Sequence, residues 1–283
     1  MNAEVPHTKK FILVNGKMTE TDGINPDMVF LDASFRLSQK MWYGFGGIPL
    51  FYENLELLKT QAEVLKLPFP AEFENERELF RLTKRMLNKN KFYRSGNIHF
   101  QLFWNNESVH TLITCNAFEN FDFPVSKEGL LVTFSKQKKN SGNTLSRFAF
   151  FNEGLWQAGL AEIRDTYFQQ VIFLNEKDAI CECARANIFM VKGNELFTPS
   201  SEAGSYIDVL KPFILDTATQ SGLNVTERKK STIPELWEMD EIFIASEILG
   251  FQWIMGIENK RFLHHYSGII YQKLNERLSQ TNS

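Results

Sequence analysis

Cys181-Glu182-Cys183-Ala184-Arg185-Ala186-Asn187-Ile188-Phe189, followed by Lys192-Gly193 and by Phe197-Thr198-Pro199, is the stretch on which the fold of this chain turns. Its neighbourhood reads as short strands: Val171 to Leu174, Ala179 to Cys183, Ile188 to Val191 and Glu195 to Phe197, with Lys192-Gly193-Asn194 as a turn. Cys181 and Cys183 stand two apart on one strand and so point the same way. A metal site would need a second ligand pair at matching spacing, and none stands out. With Cys115 they make no disulfide framework.

Downstream, Gly222 suits the closing position of a helix that starts near Val209. Thr232-x-x-Glu235 is a capping box with Pro234 in the first turn. Glu241 to Ala245 is a strand, and Ser267 can cap a last helix bearing Ile269, Ile270, Leu274 and Leu278. Upstream, Asn15-Gly16 between Phe11–Val14 and Met18 is a hairpin signal. Gly46-Gly47 between Met41–Phe45 and Ile48–Phe51 predicts a second hairpin. Leu55, Leu58, Ala62 and Leu65 share a helix face, as do Leu79, Leu82 and Met86. Ile98, Phe100, Leu102 and Trp104 alternate as in a half-buried strand, and Asn105-Asn106-Glu107 turns into a partner, Val109 to Ala117. After a linker-like stretch, Phe118 to Lys127, come a strand at Leu130 to Phe134, a polar loop from Ser135 to Asn143 and a helix from Asn152 to Arg164. Strands and helices mix without strict alternation, so the class is α+β.

The bulk properties exclude several functions. Hydrophobic residues make up 43% and charged residues 23% of the 283, the balance of an ordinary globular chain. The net charge of -3 argues against a nucleic-acid surface, and the basic run Lys136 to Lys139 reads as a solvated loop. No apolar run approaches the ~20 residues of a membrane span, and the polar start Met1 to Lys10 has no signal-peptide core. The expected compartment is the cytoplasm.

The segment from Cys181 to Pro199 resembles the E-x-x-x-x-N-[IL]-F … G … TP signature of the fold-type-IV pyridoxal-phosphate (PLP) enzymes, the class IV aminotransferases and aminodeoxychorismate lyases. Asp240-Glu241-Ile242-Phe243 resembles the family's D-E-[VM]-F strand. Glu202-Ala203-Gly204, Gly250-Phe251-Gln252-Trp253-Ile254 and Phe35-Arg36-Leu37-Ser38 fall in matching order. The resemblance implies a small N-terminal α/β domain, expected at residues 1–125. A larger pseudo-barrel domain is expected at 126–283, as in D-amino acid aminotransferase-like proteins, with a homodimer as the assembly. It also implies PLP between the domains, a lysine forming the Schiff base and a glutamate bonded to the pyridine nitrogen. The phosphate would lie on an arginine and on backbone N–H groups at a helix start.

Carried over residue by residue, Glu182 matches the ring-nitrogen glutamate and Asn187 the signature asparagine. The family places its lysine about 33 residues before that glutamate. Ungapped counting lands on Ala149, in a frame where Gly129-Leu130-Leu131-Val132 matches the preceding strand and Asn152 a family asparagine. Lys139 is the alternative: Lys139-Asn140-Ser141-Gly142-Asn143 resembles the K-x-G-G-N of branched-chain aminotransferases, given an insertion of about ten residues. The family's E-H-x-x-R-L helix reads here with Asn54 for histidine and Leu57 for the phosphate arginine. Its G-[IV]-x-R helix start reads Asp208-Val209-Leu210-Lys211, and Ser246-Glu247 replaces G-T or N-A. Asn97-Ile98-His99 stands for R-I-R. The phosphate-side residues would be Val209, Leu210, Lys211, Ser246 and Glu247, with Asp208 and Glu247 repelling a dianion and Lys211 alone offsetting them. These departures favour a family member with an eroded site that retains no cofactor and has lost Schiff-base catalysis. The alternative is an active PLP-dependent aminotransferase or lyase using Lys139.

Overall fold

The computed structural model describes residues 9–23, 33–105 and 108–281, so the polar start through Thr8 and Asn106-Glu107 of the expected turn lie outside the described residues. The chain divides into two compact units, Met1–Phe123 with Leu278–Ser283, and Pro124–Arg277.

The first unit is built on one antiparallel sheet. Its strands are β1 (Phe11–Val14), β2 (Lys17–Glu20), β3 (Phe35–Tyr43), β4 (Ser95–Trp104) and β5 (Val109–Phe118), in the order β2-β1-β5-β4-β3. Asn15 and Gly16 both adopt positive φ, 47° and 70°, which gives the two-residue hairpin expected there. The second expected hairpin does not form. Gly44 and Gly47 make one bridge around Phe45-Gly46, and the chain then enters helix α1 (Phe51–Val64) instead of a return strand. The apolar residues at helical spacing from Phe51 onward outweigh the local turn signal. Helix α2 (Glu76–Lys89) follows, capped by the Asn75 side chain on the Glu78 amide. Phe100 of β4 meets Phe51 of α1 and Phe73 edge-on or tilted, so the helices cover that face of the sheet. A buried polar chain crosses the same layer. Gln39 donates to Asn54 Oδ1 at 2.7 Å, Asn54 donates to the Leu50 carbonyl, and Gln61 donates to Gln39. Asn54, the residue at the family's histidine position, therefore serves the interior of this unit.

The second unit holds β6 (Leu130–Lys139), α3 (Ala149–Glu162), β7 (Gln170–Asn175), β8 (Ile180–Cys183), β9 (Asn187–Lys192), β10 (Glu195–Pro199) and α4 (Leu210–Gln220). It continues with β11 (Asn224–Arg228), α5 (Ile233–Trp237), β12 (Glu241–Ser246), β13 (Gly250–Ile257), β14 (Lys260–Arg261) and α6 (Tyr266–Gln280), whose last residues group with the first unit. The sheet order is β11-β10-β9-β12-β13-β6-β7-β8, with β14 beside β13. The tight Cys183–Ala186 turn returns β8 beside β9, so the sheet curls on itself. Both parallel neighbours in chain order use a helix as crossover: α3 between β6 and β7, α4 between β10 and β11. Val132, Ile172, Ile188, Met190, Ile242, Ile244 and Ile254 form the core, and Phe189, Phe243 and Phe251 stack across three strands at 4.8 and 4.6 Å. The mixed α+β architecture expected from the sequence stands.

Two acids of the Asp240-Glu241-Ile242-Phe243 strand hold this unit together. Asp240 accepts the Gly193 amide at 2.8 Å and so ties the β9–β10 turn. Glu241 accepts the Tyr266 and Ser267 amides and the Ser267 hydroxyl, so it caps α6 from across the sheet. Ser267, expected as the cap, lies inside the first turn and serves Glu241 instead. The Thr232–Glu235 capping box forms as expected, with Pro234 in the first turn.

Gly250 turns the chain from β12 into β13 at φ 75°, and a Cβ there would sit 2.3 Å from the Pro124 carbonyl oxygen. Gly250→Ala is expected to lower the stability of this unit by about 1–3 kcal/mol, read as a drop in the urea midpoint.

Candidate active site

Lys139 is the last residue of β6, and Glu182 lies in the middle of β8. Between them runs β7, with Lys139 beside Asn175 and Glu182 opposite Phe173. A register shift between Phe134 and Lys138 brings the end of β6 into this position. The Lys139 amine donates to Glu182 Oε2 at 2.6 Å, with side-chain exposures of 1% and 0%. Two further donors reach the same carboxylate. Trp156 Nε1 donates to Oε1 at 2.8 Å, and the Tyr206 amide to Oε2 at 2.8 Å. Removing two charges from water is costly, and only good geometry with further hydrogen bonds repays it. Glu182 has both.

The structure thus corrects the expected register: Lys139, not Ala149, faces Glu182. Ala149 is the first residue of α3 and packs at the edge of the cluster formed by Trp156, Val171, Phe173, Ala184 and Tyr206. Counting back from Glu182 assumed the family's connection length. Here the connection 140–148, with a 3-10 turn at Thr144–Arg147, places nine residues between the end of β6 and the start of α3. Nor is the run Lys136 to Lys139 a solvated loop. It ends β6, and Lys138 pairs with Asp178 outside while Lys139 turns inward. Trp156 and Tyr206 escaped the sequence reading. Trp156 stands seven residues after Ala149, two helical turns on, which was a signal available in the spacing. Tyr206 binds through its backbone, which no side-chain pattern reveals.

The phosphate-side residues gather around the start of α4. Val209 is its N-cap and Leu210 its first residue. Asp208 Oδ1 accepts the Leu210 amide at 3.0 Å. Oδ2 lies 3.2 Å from the Tyr206 hydroxyl, whose one proton is shared with the Arg185 carbonyl at 3.0 Å. The Glu247 amide is a third donor to Asp208. Burial raises the Asp208 carboxyl to about 6, against the pull of these donors. Asp208 is therefore a satisfied cap, where the sequence suggested only repulsion. Lys211, expected as the phosphate cation, is engaged elsewhere: its amine donates to the Pro199 carbonyl at 2.7 Å and pairs with Glu227 at 2.6 Å. Burial lowers its pKa, with Glu227 acting the other way. Ser246 ends β12, buried, and accepts the Leu249 amide. Asn187 opens β9, fully buried. Its Oδ1 accepts from Ser205 at 2.5 Å, and its Nδ2 has no hydrogen-bond partner among the described residues. Leu57 lies on α1 of the first unit.

Lys139→Met leaves the Glu182 charge without its cation and is expected to cost up to about 3–5 kcal/mol, with Trp156 and Tyr206 moderating the loss. Lys139→Met with Glu182→Gln is expected to recover part of it in urea unfolding. Asp208 gives a pH signature. Its folded pKa lies above the unfolded 3.8, so its contribution is fully present below about pH 4 and is lost as pH rises through about 6. Relative to Asp208→Asn, the unaltered chain is expected to lose urea midpoint over that interval.

Comparison with known proteins places this chain in a family. The model of the family described as Amino-transferase class IV matches residues 41–255. Aminodeoxychorismate lyase of Vibrio harveyi is 30% identical over 103 residues, 35% of this chain and 38% of that protein. The mitochondrial branched-chain amino acid aminotransferase 1 of Humulus lupulus is 32% identical over 108 residues, 37% of this chain and 27% of that protein. The chain thus spans only about a third of the length of these relatives in alignment. Among solved structures, the branched-chain aminotransferase of Thermobaculum terrenum in its PLP-form superposes with a TM-score of 0.84 at 16% identity, covering 96% of this chain and 95% of that one. The Escherichia coli branched-chain aminotransferase gives 0.81 at 18%, covering 94% and 93%. The expectation that no cofactor is retained is overturned by these findings: the family match, the aminotransferase relative and the PLP-form of a fold neighbour point to PLP-dependent enzymes. With a matching fold and a family model spanning most of its length, this chain belongs to the class IV aminotransferase family.

Proposed function

We propose that the chain is a PLP-dependent aminotransferase or lyase in which Lys139 is the cofactor lysine and Glu182 the partner of the ring nitrogen. The observation that carries this reading is the buried Lys139–Glu182 contact at 2.6 Å. A buried lysine ordinarily needs a structural reason or a chemical one. Here it meets the one glutamate that the family motif singles out.

The residues present fit the amine and ring-nitrogen ends of the cofactor: Lys139 supplies the amine and Glu182 the carboxylate, while the backbone donors at the start of α4 and at Glu247 are held by Asp208 and would have to exchange. When bound, PLP supplies an electron sink for the pair left on a substrate carbon that loses a proton or a carboxyl group. Glu182 would hold a proton at the ring nitrogen, which keeps that sink effective. Trp156 and the Tyr206 amide fix the carboxylate rotamer for this, one on each oxygen. A carboxylate has about four acceptor positions. Three are taken, by Trp156, Lys139 and Tyr206, and the Lys139 bond is the one that would be given up on loading, because that amine turns to the cofactor. The Lys139 amine, at the end of an unbranched chain, would hold and move a proton at Nζ. Its burial excludes water from that transfer. The family resemblance implies a homodimer, and one is proposed here, with light scattering at micromolar concentration as its check.

Incubation with PLP followed by borohydride reduction and peptide mapping tests the reading. The fixed cofactor is expected on Lys139, and Lys139→Ala is expected to abolish both fixation and any amino-group transfer, a fall of at least about 10²-fold. Fixation at another lysine, or none, would sink the proposal.

A further inference from the structure

The start of α4 is the place where a helix offers free N–H groups to an anion. In this chain those groups are already taken. One Asp208 oxygen holds the Leu210 amide at 3.0 Å, the other lies 3.2 Å from the buried Tyr206 hydroxyl, and the Glu247 amide donates to the same carboxylate. Three donors from three segments converge on a single side chain: α4 itself, the 205–207 loop and the turn after β12. The cation three residues after Asp208 does not help a second anion, because the Lys211 amine is engaged by Pro199 and Glu227.

We propose that Asp208 decides whether this site accepts a phosphate group, its carboxylate standing in the anion position so that a phosphorylated ligand enters only by displacing it. The inference rests on the proposed PLP reading. It concerns a residue that the family pattern leaves as glycine, and it is read on phosphate alone. The physical argument is competition for the same donors. A phosphate oxygen and a carboxylate oxygen both accept from the Leu210 and Glu247 amides, and these cannot serve both at full strength. An ionised Asp208 beside a phosphate dianion adds repulsion in a poorly solvated place. A backbone that could bind phosphate is thus held closed by one side chain, and the cofactor's phosphate contributes less to affinity than its donors allow.

Titration calorimetry with inorganic phosphate, on the full chain and on Asp208→Gly and Asp208→Asn, provides the test. Asp208→Gly vacates the donors and is expected to bind inorganic phosphate at least about tenfold more tightly than the unaltered chain, the gain of one charge-assisted bond. Asp208→Asn keeps the Leu210 contact without the charge and is expected to gain less, about threefold. The preference for PLP over unphosphorylated pyridoxal, measured by equilibrium dialysis, is expected to rise in the same order. No tightening of phosphate in either variant, with circular dichroism as in the unaltered chain, overturns the proposal. Should Asp208→Gly not fold, Asp208→Asn decides it alone. Mapping of borohydride-fixed PLP separates the two readings: phosphate tightening without fixation at Lys139 sinks the proposed function and keeps Asp208, and the reverse result does the opposite.

Discussion

An amine and a carboxylate in contact at the centre of the second unit set the terms for everything around them. Neither group tolerates burial alone, and each fixes the other's surroundings. Glu182 must sit mid-strand in β8, Lys139 must end β6, and β7 must lie between them with its register shifted to let the lysine through. Trp156 then has to come from α3 and the Tyr206 amide from the loop before α4. The crossover helix and the loop are therefore drawn to the same point by one carboxylate. This convergence is what makes the position chemically usable: a charge held rigidly, shielded from water, and bonded to a partner that can exchange.

The other acids of this unit behave differently. Glu241 caps α6, Glu235 closes its capping box on α5, and Asp208 takes the first amide of α4. Each offsets the unpaired N–H groups of a helix start and answers the positive end of its dipole. Asp240 does the same for a turn. In the sequence these carboxylates resemble obstacles to an anionic ligand. In the structure they are local solutions to backbone satisfaction. At Asp208 alone among these four, the proposed reading has structural need and ligand binding compete for one set of donors.

Membership in the class IV aminotransferase family constrains the chemistry without naming the substrate. The identity to relatives is confined to segments of about 100 residues, and the fold neighbours share under a fifth of their residues with this chain. What distinguishes the chain lies in its departures: a lysine ten positions from the expected frame, an aspartate for a glycine at a helix start, and a lysine for an arginine that is tied into the β10–β11 edge. Each of these three residues has its own hydrogen-bond partners within the second unit.

The sequence by itself determined the α+β class, the Asn15-Gly16 hairpin, the Thr232–Glu235 cap, the strand run through Glu182 and the motif that marks that glutamate. These are local: turn residues with positive φ, a side chain reaching three residues on, and alternation along a strand are all written within a few positions. The helix at Phe51 where a hairpin was expected shows the limit, since the turn signal and the helical spacing overlapped and only packing on Phe100 decided between them. Which residue faces Glu182 was decided by tertiary structure alone. Ala149 and Lys139 stand on the same stretch of chain, and what separates them is a register shift in β6 and the length of the loop after it. The same holds for Glu241 on α6 and Asp208 beneath Tyr206, contacts that join residues far apart or through backbone amides. Register and loop path depend on how strands pair across the sheet, a property of the whole unit that no window of sequence contains.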